Sequence, residues 1–143
     1  MPNTILVPMD GSESAMRALH LAVGRVRVQP QGRVHLVTVH SPLRVYGEIQ
    51  VYVGDKKAAE MAAQYNREIL EPAEHVLRAS GVAFASSTAE GDAAEQIVEC
   101  AKKVGASEIV MGSRGLGRIA GLVMGSVTTK VVHLTKIPVT LVK

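Results

Sequence analysis

Between Gly112 and Ser126 the chain reads Gly-Ser-Arg-Gly-Leu-Gly-Arg-Ile-Ala-Gly-Leu-Val-Met-Gly-Ser. Glycine at this density lets the backbone adopt positive φ and come close to a ligand, so successive N–H groups can converge on one anion. The apolar run Ile109 to Met111 leads into the loop, and a helical pattern begins at Ser126. A helix starting there points its free N–H groups and positive dipole end at the same anion. The chemistry implied is the holding of phosphate.

Three loop types compete for this stretch. A Walker A loop needs Gly-x-x-x-x-Gly-Lys before its Ser or Thr, and no lysine precedes Ser126. Gly115-Leu116-Gly117-Arg118-Ile119-Ala120 fits the dinucleotide pattern Gly-x-Gly-x-x-Ala, but the acidic residue expected about twenty positions on is replaced by Lys136 and its neighbours. What remains is Gly112, Gly115, then nine residues to Gly125 and Ser126. Each of these residues also has a structural role open to it. Asp10 and Ser126 can be helix caps, and Arg114 and Arg118 can be solvated charges. The five histidines show no paired metal-ligand spacing. A triad of Asp10, His40 and a serine lacks the Gly-x-Ser-x-Gly elbow that would expose its nucleophile.

These residues need elements to hold them. Thr4 to Met9 reads as a strand, followed by helix-start chemistry at Asp10-Gly11-Ser12-Glu13. Ala15, Ala18, Leu19, Ala22, Val23 and Val26 recur at three- and four-residue steps, one apolar helical face that Pro30 and Gly32 end. Arg33 to His40 is a strand apolar enough to be covered on both faces. From about Ser41 to Ala58 the pattern lapses into an excursion. Lys56 to Ser80 is a helix that Pro72 should kink or split. Val82 to Thr88 is a strand, Asp92 opens a helix that Gly105 ends, Glu108 to Met111 is a strand, Ser126 to Thr135 a helix, and Ile137 to Val142 the last strand. Strict alternation predicts an α/β fold: a five-stranded parallel sheet, order 3-2-1-4-5, with helices on both faces. The switch point then falls between the first and fourth strands, beside Asp10 and Gly112, where such sheets bind ligands.

Length and composition agree with a single domain over residues 1–143. A net charge of +3 with 3% aromatics and no tryptophan lacks the basic stripe and stacking platforms of a nucleic-acid binder. No basic stretch precedes Ile5-Leu6-Val7 and no apolar run approaches membrane-spanning length, so no membrane is expected. One cysteine, Cys100, fits a reducing, cytoplasmic setting.

The sequence resembles the ATP-binding branch of the universal stress protein family. The likeness rests on Ile5 to Ser12, Gly91-Asp92, Ile109 to Gly115, Gly125 to Thr128 and Ile137-Pro138-Val139. It implies ATP, with magnesium carried on the phosphates, and a site of matching positions. Val39 would read the adenine edge with its backbone. Pro8 and Met9 would wall base and sugar, Asp10 would meet ribose hydroxyls or the metal, and Met111 and Gly112 would pack on the sugar. Arg114, Gly115, Gly125, Ser126, Val127 and Thr128 would surround the phosphates. The resemblance implies a stress sensor or signalling module, with a homodimer formed through Ile137 to Val142. The alternatives are a slow ATPase or phosphotransferase, and a nucleotide-independent interaction module.

Overall fold

The computed structural model describes residues 3–41, 50–113 and 124–143. Its elements are β1 (Thr4–Pro8), α1 (Glu13–Arg27), β2 (Arg33–His40), α2 (Gln50–Ser80), β3 (Ala83–Glu90), α3 (Ala93–Val104), β4 (Glu108–Gly112), α4 (Ser126–Leu134) and β5 (Val139–Val142). All pairings are parallel and the strand order is β3-β2-β1-β4-β5. This is the order that alternation predicts.

Side-chain alternation along the central strands sends neighbours into two separate cores. Ile5, Val7, Val34, Leu36 and Val110 join Ala18, Leu19 and Ala22 of α1 and Leu70, Ala73 and Leu77 of α2. Leu6, Val37, Ile109 and Met111 join Ala94, Ile97 and Val98 of α3 and Val131 of α4. Strands buried on both faces need the near-continuous apolar runs seen in β1 and β2. The edge strands, covered less, are only half-buried along most of their length.

Three expectations are corrected. The start of α1 is capped by Ser12, whose hydroxyl accepts from Ala15 N–H at 3.2 Å, and not by Asp10. The Asp10 carboxylate instead accepts from Ser12 N–H at 2.9 Å across Gly11. Gly11 is at φ 86°, a left-handed conformation that glycine adopts without strain. Second, α2 begins at Gln50, inside the expected excursion, and its break is at Gly54 (φ 74°, ψ 172°). Third, Pro72 neither splits α2 nor leaves the helical region. It lies on the exposed side, while Leu70 and Ala73 beside it are held in one core. Residues 42–49 of the excursion lie outside the described residues.

Candidate functional site

The crevice at the switch point follows from where hydrogen bonding stops. The β1–β4 ladder is short, pairing Ile5 with Glu108 and Leu6 with Ile109. Two residues on, β1 ends at Pro8, which has no N–H to offer β4. On the other side β1 pairs with β2 up to Pro8 and Val37, and Met9 N–H adds a bond to the Val37 carbonyl at 2.8 Å. Backbone groups of a strand alternate between its two neighbours. Val37 faces β1, and His40, whose carbonyl accepts from Gly91 N–H at 3.0 Å, faces the β3 side. Val39 therefore turns both its N–H and its C=O toward β1, beyond the last β1–β2 pair. A donor and an acceptor side by side match the edge of a nucleobase.

Across the crevice, β4 ends at Gly112 against the first turn of α1. A Cβ on Gly112 would stand 2.2 Å from Ser14 Oγ and 2.9 Å from the Ser14 carbonyl carbon. Neither Gly112 nor Gly125 is among the glycines at positive φ. The requirement for glycine at 112 is thus the packing of α1 on β4, a reason the loop pattern does not reveal.

Gly125 is the N-cap of α4 (φ −78°, ψ 168°), and its N–H donates to the Ser113 carbonyl at 2.7 Å. Ser126 is exposed as the first helical residue and does not cap. No side chain caps α4, whereas Ser12 caps α1 and Asp92 caps α3. Thr128 is buried, and its hydroxyl donates to the Gly112 carbonyl at 3.1 Å, fixing the start of α4 to the end of β4. That hydroxyl is a structural tie.

The other expected site residues separate by burial. Pro8 is buried, and the Met9 and Met111 side chains are 3% and 5% exposed within the two cores. Val39 is half-buried, Asp10 half-buried, and Val127 39% exposed. Arg114 and Gly115 lie outside the described residues.

A charged link joins α3 and α4. Asp92 Oδ2 accepts from Glu95 N–H at 3.0 Å and from Lys130 Nζ at 3.1 Å, and Glu95 stands 3.5 Å from the same ammonium. The Glu95 amide and Lys130 hold the Asp92 carboxyl below its ordinary pKa, and Asp92 raises that of Lys130. Sequence spacing alone gives no sign of this α3–α4 link. On the α3 face, His35 Nε2 and Ser87 Oγ are 2.6 Å apart, and burial, then Arg33, lowers the His35 pKa. Among the described residues no group of three acidic, histidine or cysteine side chains is placed to hold a metal ion.

The profile of the universal stress protein family, "Usp", matches residues 1–143. The chain belongs to the universal stress protein family. It is 33% identical over 153 residues to universal stress protein YxiE of Bacillus subtilis, with 100% of both chains covered. It is 36% identical over 149 residues, again with 100% of both covered, to a universal stress protein of Thermus aquaticus encoded 3′ of a QAH/OAS sulfhydrylase. Among solved structures, hypothetical protein MJ0577 superposes with a TM-score of 0.81 at 26% identity, covering 100% of this chain and 96% of that one. A universal stress protein in complex with cAMP (TM-score 0.71, 24% identity, 99% and 97% covered) and an Arabidopsis thaliana family member with AMP bound (0.69, 20%, 99% and 92%) share the fold. Among the described residues of this universal stress protein, no helix is long and apolar enough to cross a membrane.

Proposed function

We propose that this protein binds an adenine nucleotide, ATP in the first instance, across the β1–β4 switch point and acts as a nucleotide-dependent sensor or signalling module in a stress response. The observation that carries the reading is the start of α4. Its first-turn N–H groups have no side-chain cap, and Ser126, Val127 and Thr128 present them at the carboxyl end of β4. An anion there completes the hydrogen bonding and meets the positive helix end. The main-chain pair of Val39 takes the base, and Asp10 takes ribose hydroxyls or a magnesium ion. One Asp10 oxygen is already engaged by Ser12 N–H, so the ion is carried mainly on the phosphates. Arg114 and Gly115 complete the phosphate loop in this reading. Family members solved with cAMP and with AMP support an adenine ligand.

Equilibrium titration with ATP tests binding, and single-turnover hydrolysis separates sensor from enzyme. Saturable ATP binding with no phosphate released over hours supports the sensor. Catalysed release would make the protein an ATPase or phosphotransferase, and no binding would leave an interaction module.

We further propose a homodimer through the β5 edge. Pro138 and Val142 carbonyls accept from Ile109 and Ser113 N–H, so even-numbered residues face β4. Val139 and Leu141 then turn their N–H and C=O groups outward, open to a second strand. Leu141→Pro removes an outward donor, whereas Val142→Pro does not. Sedimentation equilibrium that finds a wild-type dimer and a Leu141→Pro monomer supports this interface, and a dimer unchanged by Leu141→Pro rejects it.

A further inference from the structure

Among the described residues, three buried side-chain polar atoms have no hydrogen-bond partner: Thr38 Oγ1, His40 Nδ1 and Asn66 Oδ1. Thr38 is 1% exposed, and His40 and Asn66 are each 7% exposed. Native interiors leave few such groups, because each loses its water without replacement. All three lie on the faces of β2 and α2 that carry the first core. Thr38 and His40 continue the β2 face of Val34 and Leu36, and Asn66 continues the α2 face of Leu77, Ala73 and Leu70. Helix α2 runs antiparallel to β2, since it ends where β3 begins at the amino end of the sheet. Beyond Leu36, the last β2 residue of that core, Thr38 lies about 7 Å along the strand and His40 about 7 Å further. Leu70 to Asn66 climbs about 6 Å along the helix. On both elements the apolar face therefore gives way to polar residues toward the ligand end of the sheet.

This layer adjoins the crevice. Val39, with its open main-chain pair, lies between Thr38 and His40 in the chain, and Ile69 of α2 lies 3.9 Å from the point a Cβ on Gly11 would occupy, next to Asp10. Above Asn66 the helix leaves the main core, and Ala58, Ala62 and Met61 form a small cluster of their own. We infer that Thr38, His40 and Asn66 form a recognition layer for the nucleoside half of the nucleotide. The inference rests on the nucleotide reading above. Asn66 Oδ1 only accepts, while a hydroxyl and an imidazole nitrogen can each donate or accept. The ligand must therefore offer at least one donor, as ribose hydroxyls and the adenine amino group do. Glu90 adds negative charge beside the layer, with Oε2 3.9 Å from His40 Nε2, which disfavours phosphate here.

The test uses the full chain with ATP, adenosine and inorganic tripolyphosphate as separate probes. Thr38→Val and Asn66→Leu replace unpaired polar atoms with apolar ones of similar size, a change that preserves or raises stability when no partner exists. Each should lower ATP and adenosine affinity about tenfold and leave tripolyphosphate affinity unchanged, while Thr38→Ser, which keeps the hydroxyl, retains wild-type affinity. Folded variants that bind adenosine as the wild type does overturn the inference alone, with an ordered water as the sole occupant of the layer. A wild type that binds no ATP overturns the nucleotide reading and this inference with it. Independently of the variants, adenosine should shift the ring nitrogen resonances of His40 in the wild type. Unmoved resonances at saturation contradict the inference.

Discussion

Gly112 and Ser14 lie so close that a β-carbon on the glycine would stand 2.2 Å from the serine hydroxyl oxygen. The contact joins the end of β4 to the first turn of α1, and the clashing atoms include backbone, which has little room to yield. Gly112→Ala should destabilise the fold by about 1–3 kcal/mol through overpacking, read as a lower urea midpoint at an unchanged slope. Its effect on nucleotide affinity follows from displacement of α1 and not from loss of a ligand contact.

Ser12 and Asp10 divide two roles that a single residue might have filled. Ser12→Ala removes the cap of α1 and should cost about 1 kcal/mol. Asp10→Asn keeps an oxygen for Ser12 N–H, so it should leave the unfolding midpoint within error while altering ATP affinity or its magnesium dependence. Paired denaturation and binding curves check both statements.

At α4 the same logic predicts opposite signs for stability and binding. Gly125→Asp places a carboxylate at the N-cap, in a backbone conformation ordinary for aspartate. It should stabilise the helix by a few tenths of a kcal/mol, about the difference between glycine and good caps. The same carboxylate occupies and repels the proposed phosphate position, so ATP affinity should fall at least tenfold.

His35 sets a pH dependence. Its folded pKa lies below the ordinary 6.5 because burial, then Arg33, disfavours the cation. The unfolded chain therefore binds more protons in the window between the two values, and stability rises with pH there. The contribution is fully present above 6.5 and is lost as pH falls through the folded pKa. His35→Gln should flatten the stability profile in that window, as measured by urea unfolding across mildly acidic pH.

Much of this architecture is legible in the residues themselves. Apolar runs such as Val34 to Val39 and the capped amphipathic helices give the element order, and alternation gives the parallel sheet and its switch point. What stays hidden depends on contacts distant in the chain. The glycine at 112 is legible as a loop residue, but its partner Ser14 is not. Pro72 reads as a helix breaker because its neighbours in sequence do not show that Leu70 and Ala73 share one core. The weak pattern before Lys56 conceals a helix because Gly54 interrupts its period. The polar layer of Thr38, His40 and Asn66 is invisible until β2 and α2 are laid side by side. Lys130 gains its tie to Asp92 in the same way, from two helices brought together by the sheet.

The most direct test of the central claim is a crystal structure of the ATP complex. Triphosphate density is expected within hydrogen-bond distance of the N–H groups of Ser126, Val127 and Thr128, with the adenine edge on the main chain of Val39. ATP density elsewhere on the molecule, or an α4 N-terminus without phosphate in crystals saturated with ATP, would contradict it.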